Sequence, residues 1–161
     1  MTPPLHRAEE ARVAQLRAEL LRDWAAVQQH RDRALSVDPA RDLEGAALVA
    51  MSLHHAYQAF ETILLRIERS LGLRERKEEK WHRNLLADAA MGLPGIRPPV
   101  YPRAVEPLWD QILKFRHFFR HAYTVQLDPK LLLENAARLH QAVDATEPFL
   151  LALVNSLLEP A

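Results

Sequence analysis

The run Arg116-His117-Phe118-Phe119-Arg120-His121-Ala122-Tyr123 concentrates the residue types able to cleave an RNA phosphodiester without a metal. Histidine is the side chain whose unperturbed pKa lies near neutrality, so it can accept a proton from a 2′-hydroxyl or deliver one to a leaving oxygen. Arginine stays charged and can bond two phosphate oxygens at once, which matches the charge that develops in the transition state. The seventeen residues Gln111–Leu127 hold Lys114, Arg116, His117, Arg120 and His121 but no carboxylate, in a chain where about one residue in eight is acidic. Surface helices ordinarily intersperse both signs, so a one-sided run asks for an anionic partner. The plain alternative is a basic solvated face with aromatic core residues behind it.

Helical geometry divides the run. At about 100° per residue, Leu108, Ile112, Phe115, Phe119 and Ala122 share a stripe expected to face the core. Beside it come Tyr123, Arg116, Arg120, His117 and His121, forming an arc from the core boundary to solvent. Arg116 and His121 are about 140° apart on that arc, so one helix cannot enclose a phosphate and a second surface must close the pocket. His117 and His121 are also spaced as a metal-binding pair, but no carboxylate or cysteine completes a ligand set and the arginines repel a cation. The reading is therefore no metal and no cofactor.

The elements that must position these residues are all helical. Hydrophobic residues make up 48% and charged residues 26% of the 161, with 21 basic against 21 acidic, so bulk charge offers no case for nucleic-acid or membrane binding. There is no cysteine, no apolar leader and no apolar run of membrane-spanning length, which together give the expectation of a soluble cytoplasmic protein. A first helix is expected over about Leu5–Ala34, with Val13, Leu16, Leu20, Trp24 and Val27 as its stripe. A second should start at an Asp42 N-cap and end before Gly72, burying Ala46, Val49, Leu53, Ala56, Phe60, Ile63, Ile67 and Leu71. A short helix at Trp81–Ala90 precedes GLPGIRPPVYPR, where two glycines and four prolines forbid helix. A fourth helix is expected over about Ala104–Tyr123 and a fifth over Asp128–Leu158, kinked at Pro148. The expected architecture is an all-α single domain over 1–161: an N-terminal helix in 1–37, then a core over 42–158 with the reactive run at 116–123.

The pattern R-x-x-x-x-H-x-Y, here Arg116, His121 and Tyr123, late in an all-helical chain, resembles the HEPN superfamily of ribonucleases. Specifically, it looks like the HepT toxins paired with a minimal nucleotidyltransferase antitoxin of the MntA type. The likeness extends to HHAYQAFETILLRIERSLG on the second helix and WHRNLL on the third, about Ser52 to Ala142 in all. The resemblance implies a bundle of about five helices with a four-helix up-and-down core. It also implies a homodimer whose two motifs face each other across a cleft, a way to supply the missing surface. It assigns catalysis to Arg116 and His121 with His117 in support, in a metal-independent endoribonuclease acting on RNA, in some members tRNA. AMP transfer onto Tyr123 by the antitoxin would silence such a toxin of type VII character. Arg120 and Lys114 are read as phosphate-binding. The alternative within this family is a non-catalytic nucleotide- or protein-binding subunit that partners a nucleotidyltransferase.

Other residues carry blander readings. Tyr57, Phe60 and Ile63 are expected in the core. Glu61 could either position arginines of the fourth helix or lie exposed, and His54 and His55 have no partner legible in the sequence. The seven basic and four acidic residues of Arg66–Arg83 read as a solvated helix end rather than an RNA track. Trp109, on the flank beside Arg116, is expected to pack at a dimer interface rather than stack on a base.

Overall fold

The computed structural model describes residues 4–121 and 126–157 of the chain. Five α-helices appear among them: α1 (Pro4–Ser36), α2 (Leu43–Ser70), α3 (Trp81–Met91), α4 (Glu106–His121) and α5 (Pro129–Ser156), with a 3-10 turn at Arg103–Val105 leading into α4. The fold is all-α, and no strand is present among the described residues.

Local chemistry sets the helix ends. Asp42 caps α2, its carboxylate accepting from the Gly45 amide at 2.6 Å. Gly45 must lack a side chain, because a Cβ there would come 2.8 Å from the Asp38 carbonyl oxygen. At the other end Gly72 takes φ +70°, and its amide and that of Leu73 return to the carbonyls of Arg69 and Glu68. This paired closure satisfies carbonyls that the helix leaves open. Asp128 caps α5, accepting from the Lys130 amide at 3.0 Å, with Pro129 in the first turn where a missing N–H costs little. Pro148 lies inside α5, which stays helical through it.

Helices α1, α2, α4 and α5 form the bundle core, and α3 leans on α2 and α4. Arg66 of α2 reaches Glu19 and Asp23 of α1, while His55 of α2 meets His30, so α1 and α2 run antiparallel. The expected α2 stripe is buried from Ala46 to Ile67; Leu71 is 37% exposed because it is the cap residue. Leu20, Trp24 and Val27 of α1 enter the core, with Leu16 packed at its margin.

The α4 stripe is rotated from the one expected. Trp109, Ile112, Phe115 and Arg116 are buried, whereas Leu108 and Phe119 are only half-buried. Trp109 is the reason. Its indole lies parallel to the Phe60 ring at 3.8 Å and donates to Thr146 Oγ1 at 3.1 Å, so it is fully enclosed between α2 and α5. A side chain of this area dominates the choice of buried face. Trp109 is therefore a core residue of this chain, not an interface or base-stacking group. The fourth helix also starts later than expected, at Glu106. Ala122 and Tyr123, at its expected end, lie outside the described residues.

The proline-rich connection clasps α3. Tyr101 is buried and donates to the Leu86 carbonyl at 2.7 Å, and the Val100 amide reaches Ala89. Gly92 holds φ +73°, and a Cβ there would approach Pro99 N to 2.9 Å. Arg76 fastens the preceding link, pairing with Glu68 of α2 and Asp88 of α3.

Candidate active site

Arg116 is 8% exposed, on the inner face of α4 rather than on an open arc. What makes its burial tolerable is Glu61 of α2, itself 5% exposed, whose Oε1 accepts from Arg116 Nη1 at 3.2 Å. A buried guanidinium without such a partner would be strongly unfavourable. The face of Tyr57 lies 5.6 Å from the guanidinium carbon, within cation–π range. Arg116 Nε finds no hydrogen-bond partner among the described residues, so part of the guanidinium's bonding capacity is unspent.

The same carboxylate serves a second group. Glu61 Oε2 lies 2.6 Å from His82 Nδ1 at the start of α3. A carboxylate only accepts, so Nδ1 carries the hydrogen and donates. The His82 ring also stacks on Trp81, with centroids 3.6 Å apart. Glu61 thus joins α2, α3 and α4 through one side chain, and of the two readings its sequence allowed, the positioning one holds.

Between the start of α3 and the outer face of α4 lies a groove of about 790 Å³. His82, Lys80 and Arg83 line it from the α3 side, and Lys114, His117 and His121 from α4, with the half-exposed Phe118 beside them. His117 and His121 are exposed, their rings edge-on with centroids 4.7 Å apart. Lys114 is not a free cation: its ammonium pairs with Asp110 at 3.0 Å. The run lacks carboxylates along the sequence, yet Asp110 from the preceding turn supplies one in space. Arg120 is exposed and lies near enough to His54 to lower its proton affinity.

Arg116 and the two motif histidines are therefore on different sides of α4, as the 140° separation requires. His82 is what connects them, since it touches the carboxylate that holds Arg116 and faces the groove that holds His117 and His121. It was missed in the sequence because only tertiary packing brings α3 to this place. Of the basic Arg66–Arg83 segment, Arg66 is tied to Glu19 and Asp23 and Arg76 to Glu68 and Asp88, while Lys80 and Arg83 line the groove.

A second histidine group lies on the opposite flank. His30, His54 and His55 form a chain with ring centroids 5.3 Å apart at each step, and His54 meets Phe119 at 5.9 Å. Burial, then the charges of Arg116, His55 and Arg120, hold His54 below its ordinary proton affinity. Burial, then His55 and Arg33, do the same to His30. Among the described residues no cluster of three or more His, Asp or Glu side chains has a metal-binding arrangement, and no helix is long and apolar enough to cross a membrane.

An up-and-down helical bundle with a histidine-lined groove on its fourth helix is the class that fold and site define. The sequence profile of the HepT-like protein family matches residues 48–157, most of α2 through the end of α5, and the chain belongs to that family. No curated protein and no solved structure matches it.

Proposed function

We propose that the protein is a metal-independent endoribonuclease, the toxin of a toxin–antitoxin pair. Membership of a HepT-like, HEPN-type family associated with ribonucleases makes RNA cleavage the leading reading. The observation that carries it is the groove in which His117 and His121 stand within one ring's width of each other beside Lys80 and Arg83. Histidines there can exchange protons with RNA, and the surrounding cations favour its phosphates. Arg116 and His121 are the catalytic residues, with His117 in support, and Arg120 and Lys114 contribute to phosphate attraction. The working form is a cytoplasmic homodimer whose two motifs share one cleft. A cognate nucleotidyltransferase antitoxin transfers AMP from ATP to the Tyr123 hydroxyl and silences the toxin, because a bulky anion two positions from His121 in the sequence competes with RNA.

One observation favours a second reading. Arg116 is engaged in a buried ion pair, as a purely structural arginine would be, and this suits a non-catalytic subunit that presents Tyr123 to its transferase. The two readings part on one experiment. The purified homodimer should cleave RNA in the presence of EDTA, and His121→Ala should slow it about a hundred- to ten-thousand-fold, the usual worth of general acid–base catalysis. Undiminished cleavage in His121→Ala removes the catalytic role of His121, and no cleavage by the wild type freed of AMP removes the nuclease reading. Mass spectrometry after incubation with the transferase and ATP should show an added AMP group, absent from Tyr123→Phe.

A further inference from the structure

Resting on the nuclease reading above, we propose that His82 is a catalytic residue of the groove, the proton acceptor for the attacking hydroxyl, with Glu61 as the residue that positions it.

Glu61 accepts from His82 Nδ1 at 2.6 Å, which fixes the ring as the Nδ1–H tautomer. The lone pair then resides on Nε2, across the ring from the buried carboxylate. Stacking on Trp81 restrains the ring plane. His82 has 33% side-chain exposure and lines the same groove as His117 and His121. The arrangement has the parts of a general base: a ring with an orienting carboxylate behind it and an open proton-accepting nitrogen in front. Neither His117 nor His121 hydrogen-bonds to a carboxylate among the described residues. The groups around His82 are Glu61 from α2, Glu79, Lys80 and Arg83 from the α3 side, and Asp110, Lys114, His117 and His121 from α4.

In the step this serves, the RNA 2′-oxygen bonds to phosphorus as its proton passes to His82 Nε2. The phosphorus–O5′ bond breaks, its electron pair stays on O5′, and a proton from the His121 imidazolium neutralises that oxygen. The products are a 2′,3′-cyclic phosphate and a 5′-hydroxyl, and the two histidines have exchanged protonation states. Arg116, donating to the other oxygen of Glu61, helps hold that carboxylate in place.

The test uses His82→Ala and the near-isosteric Glu61→Gln in the full chain, each checked for fold by circular dichroism. Both should lower kcat about a hundred- to ten-thousand-fold with little change in KM. Both should also lose the limb of the kcat/KM profile on which activity falls as the base is protonated. Added imidazole should restore His82→Ala in part, and Glu61→Gln not at all. Nitrogen-15 spectra should show His82 as the Nδ1–H tautomer in the wild type and Nε2–H in Glu61→Gln, because Arg116 keeps the amide oxygen as its acceptor and turns the amide NH2 towards His82 Nδ1. An active His82→Ala with an unaltered pH profile, alongside an inactive His121→Ala, overturns the role of His82 and leaves the nuclease reading standing. A wild-type Nε2–H tautomer overturns it independently of any activity. No cleavage by the wild type removes the nuclease reading and the His82 role together.

Discussion

Two groups of three histidines flank α4, and they live under different conditions. His30, His54 and His55 are half-buried between α1 and α2, ring against ring, and the Nδ1 atoms of His30 and His54 have no hydrogen-bond partner among the described residues. His82, His117 and His121 line an open groove, and one of them is backed by a buried carboxylate. Identical side chains are thus driven apart by what surrounds them. Burial and neighbouring positive charges lower the proton affinity of His30 and His54 in the first group, whereas an open groove and an orienting acid suit the second to proton transfer. Arg116 belongs to both environments: it bonds Glu61 on one side and depresses His54 on the other.

That shared residue offers the largest way to break the comparison. Arg116→Ala should lower the unfolding free energy by about 3–5 kcal/mol, since it leaves the Glu61 carboxylate buried without its cation. Urea denaturation measures this, and a loss under about 1 kcal/mol would mean that the pair is solvated. The same variant should raise the His54 proton affinity, which histidine NMR titration reads directly.

A smaller effect sharpens the contrast through pH. His30 and His54 bind protons more weakly when folded than at their ordinary value of 6.5. Below that value the unfolded chain therefore takes up more protons than the folded one, and stability must fall as the pH drops from about 6.5 through the folded values. His54→Gln should flatten this decline in melting temperature between neutral and mildly acidic buffers. An unchanged slope would place the acid sensitivity elsewhere.

The smallest effect concerns the rim of the groove. Lys114 is 58% exposed and already paired with Asp110, so Lys114→Ala should change stability by no more than about 1 kcal/mol. RNA binding should weaken slightly, with the slope of affinity against salt falling by less than the full unit expected for a free cation. A full unit would show that Lys114 leaves Asp110 when RNA arrives.

Much of this is legible in the sequence. Periodicity alone located the five helices, and Asp42, Gly72 and Asp128 marked ends that the structure keeps, because caps and stops are local chemistry. The face of α4 was less legible. Counting apolar residues put Leu108 and Phe119 inward, but the area of Trp109 and the charge of Glu61 turned the helix until Arg116 was buried. Glu61 occupies a core position of α2, so its partner had to be charged, yet nothing in the sequence says which arginine reaches it. His82 was the least legible of all. Its link to Glu61 spans 21 positions and a connection between two helices, and no periodicity reports on such a contact.

Helix α3 carries one wall of the groove on only eleven residues, fewer than an isolated helix needs to persist in water. Its helicity is sustained by tertiary contacts, among them the Tyr101 hydroxyl, the Gly92 turn and Arg76, all outside it. The position of His82 therefore depends on those fastenings and on Leu85, Leu86, Ala89 and Ala90, which α3 buries in the core. Loss of that seating would separate His82 from Glu61, so one wall of the groove persists only as long as a short helix is held in place from outside.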